Sequence, residues 1–305
     1  MTLHPNAQAT CITPDVVRRE ATLQKATIKA AEYEPREVQF KYPHFVQFVT
    51  EQVESIYGSG EMYRRGFVIR TTLNSAVQEA AETAIDQTMA ALINTGVNTG
   101  SVMVTDPRTG AIRAMVGSPN FNDANIDGQV NGALTWQQPG SSIKPVVYAA
   151  ALEGIDTTGD GRADNWYTPA TVLWDVPTTF QNPSYTPTNF DNRFHGPIAL
   201  RYALQNSFNI PAVKTYQFIG ENKFKDMAGR LGLSFPENAS FGLPTGIGAT
   251  EVTLYGMMSA YGTLANSGVR VPLYTIESIT DSTGAAVQLP EKAQPLKLFN
   301  HRLPT

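Results

Sequence analysis

A serine and a lysine three residues apart, Ser141 and Lys144, form the only S-x-x-K pattern in the sequence. They follow a Pro-Gly turn and precede an apolar run, Val146 to Leu152, that predicts a helix. Residues three apart share a helix face, so the lysine amine can reach the serine hydroxyl and take its proton. A hydroxyl activated in this way is the minimal equipment of a serine acyltransferase that works without histidine.

The position of Ser141 at a predicted helix start favours this chemistry. Free N–H groups and the helix dipole at that end stabilise negative charge, both on an attacking alkoxide and on an oxyanion beside it. Lys144 must be neutral to act as a base, which requires burial or a neighbouring cation to lower its pKa. Taken alone, the motif also fits a serine that caps a helix and a lysine on the surface.

A second polar pair follows in the pattern S-x-N. Ser207 and Asn209 flank Phe208, so both polar groups can face a cleft while the ring packs inward. A hydroxyl at this place can relay a proton to a leaving group, and an amide can hold the lysine and a substrate carbonyl. The S-x-N pattern alone is weak, and its value depends on its order after S-x-x-K.

Other constellations have simpler interpretations. The loop 156–164 carries acids at positions 1, 5 and 9 and glycine at position 6, as calcium loops do, but Tyr167 stands where the bidentate acid belongs, so a plain acidic turn is favoured. His195 could complete a Ser–His triad, although no G-x-S-x-G elbow supports one. No histidine spacing is typical of a metal site, and no cofactor is predicted. We expect three tryptophans near the motifs to pack in the core rather than line a peptide cleft: Trp136, Trp166 and Trp174.

The composition is that of an ordinary globular protein. The 305 residues are 42% apolar and 16% charged, and the formal net charge of −4 argues against nucleic acid as a partner. Cys11 is the only cysteine, which excludes a disulfide framework and a thiolate metal site. No apolar run approaches the roughly 20 residues of a membrane span. Residues 1–10 lack the apolar core of a signal peptide.

Periodicity and capping signals predict the elements that must position the motifs. Helices are predicted from Thr13 to about Ala31, from Phe45 to Ile56, after a cap at Asn74 or Ser75, from Ser141, from Pro197 and after a cap at Thr253. Strands are predicted at Gly66–Thr72 and in two hairpins, Ser101–Gly117 and Tyr274–Leu289. The connection 156–196 is rich in turn residues, which predicts irregular structure.

The residues around the motifs make them far more specific. S-x-x-K followed by S-x-N is the order found in penicillin-binding proteins and serine β-lactamases. The flanks resemble class A penicillin-binding proteins in six segments: 42–45, 70–73, 127–131, 138–145, 207–214 and 251–254. The resemblance extends from about Tyr42 to about Leu289. On these segments the chain is identified as similar to the transpeptidase domain of that class.

The resemblance implies a fold and a reaction. The fold would be α+β and β-lactamase/transpeptidase-like, with a five-stranded antiparallel sheet flanked by helices. The reaction would be DD-transpeptidation, which cross-links peptidoglycan: Ser141 attacks the carbonyl between the two terminal D-alanines of a stem peptide, and Lys144 takes its proton. Ser207 would pass a proton to the departing D-alanine, and Asn209 would orient Lys144 and bind the substrate amide. β-Lactams would acylate Ser141 and leave slowly.

The sequence departs from the family pattern in two ways. Gln137 stands where such proteins usually carry arginine, and no K-T-G or K-S-G occurs. In the family that third motif supplies a cation and one oxyanion-hole N–H, and losing one such donor costs about 10² to 10³ in rate. We therefore expect residues 41–305 to be an incomplete transpeptidase domain that lacks its C-terminal strands. Residues 1–40 would be a linker that follows an absent glycosyltransferase domain.

Two rival hypotheses stand beside the enzyme. The absent third motif fits a penicillin-binding sensor or an inactive fragment. A β-lactamase is disfavoured because the flanks match the synthetic enzymes and no segment resembles the Glu-bearing deacylation loop. For the enzyme, the resemblance implies stem peptides and β-lactam antibiotics as partners. It also implies a membrane-anchored parent, with a glycosyltransferase domain, at the extracytoplasmic face of a bacterial cell membrane.

Overall fold

The computed structural model describes most of the chain, in four stretches: 14–30, 40–181, 184–291 and 293–299. The chain divides into two units, Met1–Phe40 and Lys41–Thr305. In the first unit, helix α1 (Pro14–Ala30) begins with proline and aspartate, as the sequence predicts. Cys11 lies outside the described residues. In the part of the chain that is described, no helix has the length and apolar character needed to cross a membrane.

The described part of the second unit combines helices with short strands. The helices are α2 (Pro43–Tyr57), α3 (Ser59–Arg65), α4 (Ser75–Leu92), α5 (Lys144–Glu153), α6 (Leu200–Gln205), α7 (Asn209–Leu231) and α8 (Leu254–Ala265). The strands are β1 (Val68–Thr71), β2 (Val102–Thr105), β3 (Ile112–Val116), β4 (Val172–Asp175), β5 (Gly196–Ala199), β6 (Val269–Arg270), β7 (Ile276–Thr280), β8 (Ala286–Val287) and β9 (Leu296–Lys297).

All strand pairs within the described sheets are antiparallel. One sheet has the order β1-β7-β8, and the pairs β2-β3, β4-β5 and β6-β9 form the others. In the first predicted hairpin, Val102 faces Val116 and Val104 faces Ala114. Both predicted hairpins are therefore present, and the α+β class with antiparallel sheets between helices is confirmed.

Two of the predicted helix caps are made by side chains. The Asn74 side-chain oxygen accepts a hydrogen bond from the Val77 N–H at 3.2 Å, at the start of α4. The Thr253 hydroxyl oxygen accepts one from the Gly256 N–H at 3.0 Å, at the start of α8. Each cap satisfies one of the N–H groups that lack a partner inside the helix.

Helix α4 packs directly on strand β3. Ala81 and Ile85 of the helix lie in one buried cluster with Ala114 and Val116 of the strand. The buried Gln78 side chain accepts a hydrogen bond from the Met115 N–H at 2.8 Å and donates one to the Met115 carbonyl at 3.2 Å. A side-chain amide here makes the bonds that a neighbouring strand would make, which fixes the hairpin against the helix.

The prediction that Pro197 opens a helix is wrong. Pro197 lies in β5 opposite Trp174 of β4, and the helix α6 begins three residues later at Leu200. The strand β5 pairs with β4 alone among the described strands, and proline is tolerated on such an edge because its missing N–H is not needed by a second neighbour.

Two large apolar clusters hold the second unit together. One joins α5, α7 and α8, and its buried members include Val146, Phe224 and Met257. The other joins α2 with β2, β3 and β7, and includes Phe45 and Ile112. Both S-x-x-K and the segment after S-x-N begin helices of the first cluster, so their backbones are fixed by buried side chains.

Candidate active site

The proposed nucleophile, Ser141, lies on a 3-10 turn, Gly140–Ile143, that leads without a break into α5. Gly140 has φ of +54°, a left-handed conformation that glycine adopts without steric cost. Ile143 is buried and anchors the turn, whereas Ser141 is exposed. The hydroxyl is thus open to solvent at a helix N-terminus, where N–H groups and the helix dipole favour developing negative charge.

Two other parts of the chain contact the turn that carries Ser141, the backbone at Gly248 and the helix α8. The Gly140 N–H donates to the Gly248 carbonyl at 3.2 Å, and the two backbones lie so close that a Cβ on Gly248 would come within 2.0 Å of the Gly140 oxygen. On the other side, the Tyr261 hydroxyl of α8 donates to the Ser142 carbonyl at 2.9 Å. The turn is therefore positioned by contacts beyond its own helix.

Lys144 is almost fully buried, with 1% of its surface exposed. Its ammonium Nζ donates to the Ser207 carbonyl at 2.6 Å, to the Asn209 Oδ1 at 2.7 Å and to the Ser207 hydroxyl at 3.2 Å. Three acceptors match the three donors of an ammonium group. The structure therefore brings Lys144, Ser207 and Asn209 together. The exposed Ser141 lies three residues before Lys144 in the chain.

Burial lowers the pKa of the Lys144 ammonium from 10.5 to about 8. With such a pKa, about a tenth of the Lys144 side chains are neutral at pH 7. An ordinary lysine is neutral in fewer than about one molecule in a thousand. A neutral amine has a lone pair that can accept a proton from a hydroxyl. Burial therefore shifts Lys144 toward the neutral form that a lysine base requires.

Ser207 has a backbone conformation that is unusual for its type. Its φ is +55°, in the left-handed region, at the junction between α6 and α7. Phe208 is buried while Ser207 is exposed, so the ring packs inward and the Ser207 hydroxyl lies on the other side, 3.2 Å from the Lys144 ammonium, as the alternation predicts. Strained backbone of this kind persists only when the surroundings hold it, and it is common at functional sites.

The orientation of Asn209 is set by residues that the sequence analysis missed. The Asn209 Nδ2 donates to the Thr188 carbonyl at 2.8 Å, which turns its Oδ1 toward Lys144. The Asn209 N–H donates to the Asn189 Oδ1, also at 2.8 Å. Thr188 and Asn189 lie in the irregular connection 156–196, where no periodicity indicates which side chains face the motifs.

The other sequence candidates do not join this cluster. His195 lies beside Asp175, with 2.6 Å between Nδ1 and a carboxylate oxygen, which gives no support to a Ser–His triad. In the loop 156–164, the Asp156 carboxylate accepts backbone N–H groups of its own loop, at 2.6 to 3.1 Å. Across the described residues, no group of three or more His, Cys, Asp or Glu side chains could hold a metal ion.

The expectation that the tryptophans pack in the core is wrong. All three are exposed, with exposed fractions of 40%, 45% and 57% for Trp136, Trp166 and Trp174. Trp174 is exposed because β4 alternates buried and exposed positions, and Leu173 and Asp175 take the buried ones. An aromatic residue indicates burial only when its neighbours show which face is covered.

Comparison with known proteins identifies the family of the chain. Residues 100–298 match the family described as the penicillin-binding protein transpeptidase domain. Penicillin-binding protein 2D of Bacillus subtilis strain 168 is 30% identical over 252 residues, which cover 80% of this chain and 34% of that protein. Penicillin-binding protein 1B of Vibrio cholerae is 28% identical over 250 residues, or 80% of this chain and 30% of the relative. The chain thus spans about a third of the length of these relatives.

Solved structures show the same fold. Penicillin-binding protein 1A from Haemophilus influenzae superposes with a TM-score of 0.68 at 23% identity, over 92% of this chain and 55% of the other. PonA1 from Mycobacterium tuberculosis, solved in complex with penicillin V, gives 0.67 at 23% identity, over 81% and 65%. The family match includes both the S-x-x-K and the S-x-N segments. The chain therefore belongs to the transpeptidase family of penicillin-binding proteins, and the resemblance to class A members that the motif flanks predict is confirmed.

Proposed function

We propose that residues 41–305 form a peptidoglycan DD-transpeptidase domain and that Ser141 is its nucleophile. The observation that carries this proposal is the buried Lys144, whose ammonium contacts both polar residues of S-x-N one turn from the exposed Ser141. The family supplies the reaction class, and the low pKa of Lys144 supplies a base that works near neutral pH.

The proposed acylation uses these residues in turn. The neutral Lys144 amine takes the proton of the Ser141 hydroxyl as Ser141 Oγ attacks the carbonyl carbon between the two terminal D-alanines. The tetrahedral intermediate carries its oxyanion beside the N-terminus of the turn. The Ser207 hydroxyl, 3.2 Å from the Lys144 amine, then relays that proton to the leaving nitrogen. The carbon–nitrogen bond breaks, D-alanine leaves, and an ester on Ser141 remains.

The second half of the reaction reverses the roles. An amine of another stem peptide attacks the ester carbonyl, and its proton returns through Lys144 to Ser141 Oγ as the ester bond breaks. A β-lactam would follow the first half alone, because its ring opens without releasing a leaving group. Asn209, whose Oδ1 lies 2.7 Å from the Lys144 amine, would hold the base in place and contact the substrate amide.

The alternative is a non-catalytic penicillin-binding sensor or an inactive fragment, and one feature of the printed sequence favours it. No K-T-G or K-S-G is present, and one lost oxyanion donor costs about 10² to 10³ in rate. A chain with this site and without that donor would acylate slowly and could serve as a penicillin-binding sensor. We also propose, from the family, a membrane-anchored parent with a glycosyltransferase domain, located at the extracytoplasmic face of a bacterial cell membrane.

The test is labelling with a fluorescent penicillin, followed by mass spectrometry of the labelled peptide. We expect the label on Ser141 in the natural chain and no label in Ser141→Ala. Ser142→Ala is the matched control, because Ser142 is an exposed neighbouring serine whose hydroxyl donates to the Pro139 carbonyl at 2.6 Å. Label that persists in Ser141→Ala would refute the assignment, and a wholly unlabelled natural chain would favour the inactive alternative.

A further inference from the structure

A buried carboxylate lies behind the S-x-N segment. Asp175, at the end of β4, has 0% of its surface exposed. Its two oxygens accept hydrogen bonds from the Asn189 Nδ2 at 2.9 and 2.8 Å, and one of them also accepts from the His195 N–H at 3.0 Å. The His195 Nδ1 lies 2.6 Å from the same oxygen. A carboxylate is costly to bury, so partners on every side are needed to hold it there.

Asn189 connects this carboxylate to the proposed active site. Its side chain is 2% exposed, and its Nδ2 also donates to the Arg193 carbonyl at 2.8 Å. A carboxylate only accepts hydrogen bonds, so the amide nitrogen must face Asp175 and the amide oxygen must face away from it. That oxygen accepts the N–H of Asn209, the first residue of α7, at 2.8 Å.

His195 provides a second connection to the same segment. Its ring stacks on Phe208, with 4.0 Å between ring centroids and 19° between planes. The Asp175 carboxylate fixes this ring through Nδ1. Asp175 therefore reaches Asn209 through Asn189 and Phe208 through His195, and Asn209 in turn bonds to the Lys144 ammonium. Two of the three S-x-N residues are held from behind by one buried group.

We propose that Asp175, acting through Asn189 and His195, is a positioning residue that holds S-x-N in register with Lys144. The proposal rests on the proposed function only in taking Lys144 as the base. Asp175 touches neither Lys144 nor Ser141 through any described contact, so its effect must pass through Asn189 and the stacked ring. It gives the strained Ser207 backbone a rigid support on its buried side, which such strain requires.

Charged groups on several elements surround Asp175. His195 approaches it from the start of β5, and the outer nitrogen of that ring lies 3.2 Å from the Asp191 carboxylate. Lys214 of α7 donates to the Trp174 carbonyl at 2.7 Å, and burial lowers the pKa of this lysine while Asp175 opposes the shift. A variant that changes the charge at Asp175 therefore needs a charge-neutral companion.

The charge-neutral variant is Asn189→Ala. It removes the amide that links Asp175 to Asn209 and leaves every charge in place. Asp175→Asn keeps the shape but replaces one of the two acceptor oxygens with a donor, which cannot accept from the Asn189 Nδ2, so the link to Asn189 is weakened. Asp191→Asn is the matched control: it also removes one carboxylate beside His195, but the Asp191 carboxylate bonds to His195 and to the Arg193 N–H rather than to Asn189. Thermal unfolding of each variant establishes that it is folded.

The first readout is the titration midpoint of Lys144, followed by NMR on protein with ¹³C at the lysine ε-carbons, and it needs no acylation. We expect Asn189→Ala and Asp175→Asn to lower this midpoint by about one pH unit, because an unsupported Asn209 no longer accepts from the charged amine. Asp191→Asn should leave it unchanged. An unaltered midpoint in both test variants, or an equal fall in Asp191→Asn, would overturn the proposal.

The second readout is the second-order rate constant for acylation of Ser141 by penicillin V. The two test variants should be about 10- to 100-fold slower although more of their lysine is neutral, because the base is displaced. A fall in both midpoint and rate is not expected from a merely structural role. If the natural chain is not acylated at all, the proposed function fails for this chain, and the Lys144 midpoint still decides whether Asp175 positions S-x-N. If Asn189→Ala does not fold, Asn189→Leu, which has nearly the same shape and also leaves every charge in place, carries the test.

Discussion

At the scale of single residues, Lys144 is under two opposing influences. Burial disfavours its charged form, whereas the Ser207 carbonyl and the Asn209 Oδ1 stabilise that form by accepting its protons. Burial prevails, since the pKa falls to about 8. A neutral amine keeps two N–H groups, so it can still donate to two of these acceptors. A base needs both properties, because a lone pair is useful only where the hydroxyl can reach it.

The rate of Ser141 acylation by penicillin V should therefore depend on pH in a defined direction. If the neutral Lys144 amine is the base, as proposed, the rate constant should rise about tenfold per pH unit below pH 8 and level off above it. Lys144→Arg, which stays charged, should lose about 10² to 10⁴ in rate at pH 8. Lys223→Arg, at a lysine paired with Glu153, is the control and should behave as the natural chain does. A flat profile between pH 6 and 8 would refute the role of Lys144.

Ser207 offers a second prediction at this scale, because strain and chemistry can be separated there. Its positive φ costs a non-glycine residue about 1 to 2 kcal/mol. Ser207→Gly should thus be more stable than Ser207→Ala by about 1 kcal/mol in urea unfolding, although both lack the hydroxyl. Both should acylate equally slowly. Equal stability of the two variants would mean that the left-handed conformation is not held in solution.

At the scale of elements, the position of the proposed nucleophile, Ser141, depends on a contact between two short turns. The turn that carries Ser141 meets the 3-10 turn Leu243–Ile247, whose capping residue Gly248 lies against Gly140. Gly248 has φ of +87°, and a side chain there would meet the Gly140 backbone at 2.0 to 2.5 Å. Because the obstacle is backbone and not a flexible side chain, the turn itself must move.

Gly248→Ala should therefore lower both the free energy of unfolding and the acylation rate. Gly159→Ala is the matched control, because Gly159 has a similar φ of +78° but open space where a Cβ would lie. Gly159→Ala should lower the free energy of unfolding by about 1 to 2 kcal/mol, because alanine is strained at a positive φ, and should keep the natural acylation rate. Urea unfolding and penicillin V kinetics on both variants make the comparison. If the two variants lost equal amounts of stability and acylation rate, the contact between Gly248 and Gly140 would not be needed to position the turn.

The elements also show how far the sequence could predict the molecule. Helices with a regular apolar stripe and a side-chain cap, such as those after Asn74 and Thr253, were predictable because each signal is local. Pro197 was assigned to a helix because the pairing of its strand with β4 is a non-local fact. Asp175 and Asn189 could not be found, and His195 could be considered only for a Ser–His triad, because the sequence of the connection 156–196 does not indicate which of its side chains meet.

At the scale of the whole molecule, α8 joins the two large apolar clusters. Met257 is buried in the cluster of α5 and α7, whereas Leu254 and Met258 pack against the cluster of α2 and the β2-β3 hairpin. The same helix donates to the turn of Ser141 through Tyr261. Disruption of the second cluster should therefore reach the active site through α8, even though its residues lie outside that site.

This arrangement predicts where the chain tolerates truncation. Helix α2 places Phe45, Val49 and Val53 in the second cluster, all 5% exposed or less. Each buried apolar side chain contributes about 1.5 to 3 kcal/mol, so removing α2 costs an amount comparable with the roughly 5 to 15 kcal/mol that keeps a domain folded. A chain that begins at Lys41 should keep the melting temperature and penicillin labelling of the full chain.

A chain that begins at Ser59 should lose both. Helix α4 still covers one face of the hairpin, but the face that carries Met103, Ile112 and Met115 loses α2, and so do β7 and α8. Circular dichroism melting of the two truncated chains beside the full one makes the comparison, and the labelling reports on the site in the same samples. A cooperative transition and intact labelling in the chain that begins at Ser59 would show that the second cluster is dispensable. Loss of the transition in the chain that begins at Lys41 would instead place the domain boundary before residue 41.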